Sequence, residues 1–166
     1  NTELMLADLA SLERRVSPLR KKGQSGDKEA KAEVALMDAA IALLAEGKPA
    51  RLAQVPKEEE AAFRALNLLT AKPILYVANV DEASAATGNR HSEAVAKMAA
   101  TENAGFVMIS AAIEAEIAQL PEAEQKEFLA TIGLEEPGLD RLIRAGYALL
   151  GMITFFTAGP KEARAW

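Results

Sequence analysis

Polar side chains follow two apolar runs of the sequence, at positions where they could contact a ligand. Residues 73–78 are typical of a buried strand, and an amide and a carboxylate, Asn79 and Glu82, follow in the sequence NVDE. A second apolar run, residues 105–110, leads into the sequence SAA at 110–112. Ligands of open α/β sheets bind beyond the carboxyl ends of the strands. The two polar ends could therefore read the donors and acceptors of one ligand, and a strand followed by an ordinary polar loop is the alternative.

Helical and strand patterns alternate around these two ends. Residues 90–103 have the pattern of a helix between the two strands, further helices are predicted over 111–133 and 135–151, and residues 152–159 end in a strand. This alternation predicts a parallel α/β fold. A doubly wound sheet usually has about five or six strands. Because only two or three are visible, we expect the others to lie outside this chain, which has the character of a piece of a larger protein.

Two segments near the beginning of the chain have helical apolar periodicity. Residues 2–22 and 28–46 each repeat apolar side chains at alternating spacings of four and three, which predicts two helices with facing seams. Two glycines mark a turn between them, and Asp27 can cap the second helix. We therefore predict an antiparallel helical hairpin, a coiled coil, over residues 1–50 and a second domain over residues 51–166. The seam residues are Met5, Leu9, Leu12, Val16 and Leu19 in the first helix, and Ala30, Val34, Met37, Ile41 and Leu44 in the second.

Positive charge is concentrated around the predicted hairpin turn. The net charge is −5, but residues 14–31 contain seven basic and two acidic side chains, which leaves 12 basic and 22 acidic residues elsewhere. A basic segment on an acidic protein indicates a local anionic partner. Cations that only solvate a helix face are the alternative. The residues expected to contact this partner are Arg20, Lys21, Lys22, Lys28 and Lys31.

The composition argues against several other kinds of site. The chain has no cysteine, which excludes a disulfide framework and a thiolate metal site and fits a reducing cytoplasm. No apolar run approaches the ~20 residues that a membrane span needs, so no membrane association is expected. The single histidine, His91, falls on a predicted surface helix and is not expected to be catalytic. Glu135 and Glu136 are expected to cap a helix, and three aromatic side chains are expected in the core: Tyr147, Phe155 and Phe156.

The two polar strand ends resemble the base-recognition half of a P-loop nucleotide-binding domain. In that class N-K-x-D ends one strand and S-A-K ends the next, and here the corresponding sequences are NVDE and SAA. An aspartate at the fourth position accepts hydrogen bonds from two guanine donors, but this chain has a glutamate there, and valine and alanine replace the two lysines. We therefore expect poor selection of guanine and a preference for adenine. The base-binding candidates are Asn79, Val80, Glu82, Ser110, Ala111 and Ala112.

Longer stretches resemble the YchF family, the Obg-like ATPases. They are NLLTAKPILYVANVDE (67–82), GLEEPGLDRLIRAGY (133–147), TFFTAGPKEARAW (154–166) and, in the hairpin, SGDKEAKAE (25–33), and together with the other patterns the resemblance covers almost the whole chain. It implies part of a Rossmann-like P-loop NTPase domain of the Obg-related class, with the hairpin inserted in it. It also implies a preference for ATP over GTP through an N-x-x-E motif, which Asn79 and Glu82 match, together with use of Mg²⁺ and association with ribosomes.

The resemblance also defines what the chain is expected to lack. The phosphate-binding sequence G-x-x-x-x-G-K-[ST] does not occur in the 166 residues. The Mg²⁺ ligands would precede Asn1, and a TGS domain would follow Trp166. We therefore expect no catalytic or metal-binding residue here, no ATP turnover by the isolated chain, and a monomer. The leading hypothesis is a cytoplasmic YchF-type ATPase or GTPase whose base-recognition part and hairpin lie in this chain, and the alternative is a ribosome- or RNA-binding adaptor in which nucleotide acts as a switch.

Overall fold

The computed structural model describes residues 1–166, which divide into two compact units, Asn1–Lys72 and Pro73–Trp166. The first unit begins with two long helices, α1 (Thr2–Gln24) and α2 (Lys28–Ala45). They pack against each other and are joined by a short turn over residues 25–27. The predicted pair of helices is therefore present, with α1 two residues longer than expected.

The turn between α1 and α2 has the backbone geometry that its sequence predicts. Gly26 has a φ of 101°, a conformation that residues with a side chain rarely adopt. The carboxylate of Asp27 accepts a hydrogen bond of 3.0 Å from the backbone N–H of Ala30, which confirms the predicted cap. These two residues allow the chain to reverse direction within three positions.

The predicted apolar seams form the contact between the two helices. Leu12 and Met37 are fully buried, Val16 and Leu44 are nearly so, and the remaining larger seam residues pack against this cluster while partly exposed. Burial of a Leu or Met side chain stabilises a fold by about 1.5–3 kcal/mol, so this seam is the main source of stability of the pair.

A second face of α2 packs against the segment that follows the hairpin. This segment contains two 3₁₀ turns, Ala50–Leu52 and Lys57–Glu59, and one short helix, α3 (Glu60–Ala65). The sequence KEEEAAFRALNLL at residues 57–69 predicts one longer helix. That prediction was wrong, because Asn67 adopts a left-handed φ of 55° that stops the helix. The segment adds four side chains to the core that also contains Leu36 and Ala40: Ala50, Phe63, Leu66 and Leu68.

A buried carboxylate connects α1 to the end of this segment. Asp8 is only 4% exposed, and its oxygens accept hydrogen bonds from the backbone N–H groups of Leu69 and Thr70 and from the Thr70 hydroxyl, at 2.7–2.8 Å. The Thr70 oxygen in turn accepts from the N–H of Ala50, at 3.0 Å. Residues distant in sequence are thus joined by one polar network, which the sequence patterns did not reveal.

The second unit is built around two parallel strands, β1 (Leu75–Asn79) and β2 (Gly105–Ile109). Leu75 pairs with Gly105 and Asn79 with Ile109, so the two strands start and end in register. Helix α4 (Arg90–Thr101) connects them and packs on both. The predicted parallel α/β arrangement is therefore confirmed.

Three helices follow β2: α5 (Ala111–Ile117), α6 (Glu122–Thr131) and α7 (Gly138–Leu149). A second hydrophobic cluster contains Ala85, Ile113, Ile117 and Leu129, with Phe128 and Ile132 packed against it. Helix α7 packs against β1 and β2 and is shorter than the predicted span of 135–151.

The start of α7 is capped from another helix. The carboxylate of Glu114 in α5 accepts hydrogen bonds from the N–H groups of Gly138 and Leu139, at 2.6 and 3.2 Å. The predicted caps, Glu135 and Glu136, do not fill this role, and Glu136 instead forms an ion pair with Arg144 that lowers the pKa of the glutamate. A carboxylate one helix away reaches the free N–H groups better than the residues immediately before the helix.

The last residues form a small antiparallel pair, β3 (Phe156–Ala158) and β4 (Ala163–Ala165), separate from the parallel sheet. The prediction that Tyr147, Phe155 and Phe156 are core residues was wrong, because they are 40%, 52% and 82% exposed. In the described chain, no helix combines the length and apolar character that crossing a membrane requires.

Candidate functional site

The carboxyl ends of the two parallel strands are joined by the side chain of Asn79. The backbone N–H of Val80 donates to the carbonyl oxygen of Ile109 at 2.9 Å, which is the last backbone contact of the pair. One step further, the N–H of Ala111 donates to Asn79 Oδ1, also at 2.9 Å. The last residue of β1 and the first residue of α5 are therefore held together.

Ser110 lies between Ile109 and Ala111, which form these two hydrogen bonds. Its side chain is 4% exposed, and its Oγ atom has no hydrogen-bond partner in the chain. A buried hydroxyl without a partner costs about 1–3 kcal/mol. Ala111 and Ala112, which follow it, are exposed at the start of α5. The end of β2 thus contains one buried hydroxyl without a protein partner, followed by two small exposed side chains.

The other residues of the NVDE sequence have distinct environments. Val80 is buried, at 8% exposure, so its side chain faces the protein and covers little external surface in this structure. Asp81 accepts a hydrogen bond of 2.8 Å from the N–H of Ser84, and its hydrogen bonding with Ser84 lowers the pKa of the Asp81 carboxyl. Glu82 is exposed in the 3₁₀ turn that Asp81 caps. Asp81 therefore has a local structural role, whereas the Glu82 carboxylate is available to a ligand.

A cavity of about 320 Å³ lies beside the same strand end. Its lining includes Asn79, Asp81 and the first turn of α4, where Asn89 caps the helix by accepting from the N–H groups of His91 and Ser92. His91 is exposed on α4, as expected. Of the base-binding candidates, Asn79 and Val80 line this cavity, whereas Glu82, Ser110, Ala111 and Ala112 are not among its lining residues.

The hairpin candidates lie in the other unit, where their charges are not equally available. Arg20 forms an ion pair with Asp38 of α2. The four lysines of the set, Lys21, Lys22, Lys28 and Lys31, are exposed and form no ion pair. The positive charge that a partner would meet at the turn is therefore chiefly that of these lysines, which we call the lysine tip. No group of three or more His, Cys, Asp or Glu residues that could hold a metal occurs in residues 1–166.

The geometry defines an α/β protein with parallel strands and a polar site at their carboxyl edge. Its fold is similar to the solved structure of the YchF GTPase of Schizosaccharomyces pombe, with a TM-score of 0.84 and 27% sequence identity over 99% of this chain and 46% of that one. Two bacterial proteins called ribosome-binding ATPase YchF align over the whole chain, from Haemophilus influenzae at 49% identity and Bacillus subtilis at 42%. The chain belongs to the YchF family.

The aligned region covers only part of these relatives. The chain spans 46% of the length of these relatives. No model of a protein family matches the chain. The bacterial relatives are named as ribosome-binding ATPases and the Schizosaccharomyces pombe protein as a GTPase.

Proposed function

We propose that this chain supplies the base-binding part of a nucleotide hydrolase that prefers ATP. The observation that carries the proposal is the hydrogen bond between Ala111 N–H and Asn79 Oδ1, because it fixes two polar strand ends beside each other. Ligands of parallel α/β sheets bind at this edge. The side-chain oxygen of Asn79 is used within the protein, and its Nδ2 protons are available to an acceptor on a purine base.

The residues present fit a purine base. Ser110 Oγ is buried without a partner and can donate or accept one hydrogen bond. Ala111 and Ala112 are exposed and small, and Glu82 is exposed three residues after Asn79. Val80 is assigned to the floor of the site and not to an exposed stacking surface, since its side chain is buried.

The base preference gives a direct test of the site. Glu82 is one methylene longer than the aspartate that reads guanine, so the full-length protein is expected to bind ATP at least as tightly as GTP. The Glu82→Asp variant, alone and with Val80→Lys, is expected to shift the ratio of dissociation constants toward GTP by up to about tenfold, the value of one selective hydrogen bond. Titration calorimetry with both nucleotides measures the ratio.

Asn79→Ala is the companion variant, because it removes the bridge to Ala111 and the Nδ2 donors together. It is expected to weaken both nucleotides. A wild-type protein that binds GTP about tenfold more tightly than ATP, or an Asn79→Ala variant that binds both normally, contradicts the assignment of the site.

The phosphate chemistry is assigned to parts of the full-length protein outside these residues. The chain has no phosphate-binding loop and no cluster suited to Mg²⁺. When bound, Mg²⁺ would neutralise charge on the phosphates during attack by water. This chain would orient the base and thereby the nucleotide.

The 166-residue chain alone is therefore expected to show no release of phosphate from ATP above the buffer rate. Base contacts alone must offset the entropy lost on association, and they do not stabilise the transferring phosphoryl group. Turnover that persists through repurification and in the Asn79→Ala variant would place an active site elsewhere in the chain.

A second proposed function is binding to ribosomal RNA through the helical pair. The lysine tip carries four exposed cations without ion pairs, and the bacterial relatives are named as ribosome-binding. In this proposal the pair is an inserted coiled-coil arm and the protein is a cytoplasmic monomer. If full-length protein binds ribosomes but does not hydrolyse ATP, the adaptor hypothesis, with nucleotide as a switch, replaces the hydrolase.

A further inference from the structure

A groove on the first unit has a chemistry opposite to that of the lysine tip. It has a volume of about 380 Å³ and lies between α2 and the segment of the second 3₁₀ turn and α3. Four carboxylates line it: Glu29 and Glu33, one turn apart on α2, and Glu58 and Glu59 on the opposite side. Only Glu33 approaches a cation, the Arg15 guanidinium, at 3.9 Å.

The bottom of the groove is apolar. Exposed methyl groups of Ala32, Ala62 and Ala65 line it, and Leu36 and Leu66 lie beneath them, nearly buried. A surface of alanine methyls accepts the methylene stems of long cationic side chains, whose charged ends can then reach the carboxylates at the rim. The groove therefore offers an apolar surface for the stem of a lysine or arginine side chain and carboxylates for its charged end.

We propose that this groove docks a basic polypeptide segment of a partner protein, with lysine or arginine side chains lying across the alanine floor. Charge complementarity selects the occupant, because at least three carboxylates lack a cation of their own and repel nucleic acid. The groove would add a contact with a protein to the proposed contacts with nucleotide and RNA. It would bring the protein to a surface that contains basic protein as well as nucleic acid.

Fluorescence anisotropy of the whole chain with a labelled lysine–alanine helical peptide tests the groove. The triple variant Glu29→Gln, Glu58→Gln, Glu59→Gln is expected to weaken binding about tenfold through lost charge pairing. Ala62→Trp fills the floor at an exposed position without changing charge, and it is expected to weaken binding to a similar extent. The matched control is Glu3→Gln, Glu13→Gln, Glu60→Gln, which removes the same charge from the same unit outside the groove and is expected to leave binding unchanged.

Each of the opposite results overturns the proposal. If the control variant weakens binding equally, the effect comes from net charge. If the Ala62→Trp variant binds the peptide normally, the groove is not the binding site. Failure of the wild-type chain to bind the peptide, or self-association that Ala62→Trp abolishes, would show that a basic segment of another protein is not the occupant.

Discussion

Replacing Lys21, Lys22 and Lys28 by glutamate is expected to abolish ribosome binding by the full-length protein. These lysines are exposed and unpaired around the hairpin turn. Each contact between a lysine and a phosphate releases counterions, so log affinity falls with log salt at a slope of about −0.7 to −0.9 per contact. Removing three contacts and adding three negative charges is expected to lower affinity by at least about 100-fold at moderate salt. Co-sedimentation with ribosomes at two salt concentrations measures this loss.

The same unit provides a control with the same change in charge. Lys48, Lys57 and Lys72 are exposed outside the turn, and replacing them by glutamate is expected to reduce binding much less. ATP hydrolysis without ribosomes should be nearly unchanged in both variants, because neither set of lysines belongs to the proposed base site. If the tip variant pellets with ribosomes as well as the wild type, the lysines only solvate the helix ends.

The second large effect is expected from Asp8→Ala. This change removes three hydrogen bonds to an ionised carboxylate and leaves the buried N–H and hydroxyl of Thr70 without their partner. The loss is expected to cost the first unit about 3 kcal/mol of unfolding free energy, within the range for buried groups deprived of a charged partner. Urea titration followed by helical circular dichroism measures the stability, and hydrogen exchange at Leu69 and Thr70 locates the change.

Asp38→Ala is the matched control for Asp8→Ala. Asp38 also accepts a bond from another helix, but its pair with Arg20 is exposed, so its removal is expected to cost less than about 1 kcal/mol. Similar urea midpoints for the two variants would mean that the buried network does not hold α1 to the segment over residues 50–72.

The sequence predicted the two helices that have a repeating apolar spacing and the two strands that end in polar residues. The alternating spacing of four and three residues identified α1 and α2, because it places the apolar side chains of successive turns on one face of each helix. The NVDE and SAA sequences located two strand ends that the structure joins through Asn79 and Ala111. Their assignment to a nucleotide base stays a prediction, as do the roles of the lysine tip.

The features that the sequence did not predict depend on single contacts between distant residues. Asp8 looks like any polar residue of an amphipathic helix, and only the fold shows that it accepts bonds from residues 69 and 70. Glu114 caps a helix that begins 24 residues later, which no local capping rule can foresee. Phe155 and Phe156 were expected in the core but are exposed. The type of a side chain does not show whether another part of the structure covers it.

The bond from Ala111 to Asn79 has a consequence for which residues position 79 tolerates. The Asn79 amide oxygen takes the place of a peptide oxygen and accepts one further hydrogen bond from the chain that follows β2, in addition to the backbone bonds of the strand pair. Aspartate could accept the same bond but would offer no protons to a ligand, and glutamine would carry its amide one methylene too far. Asparagine at position 79 can therefore form this additional hydrogen bond and keep its two Nδ2 protons for another acceptor.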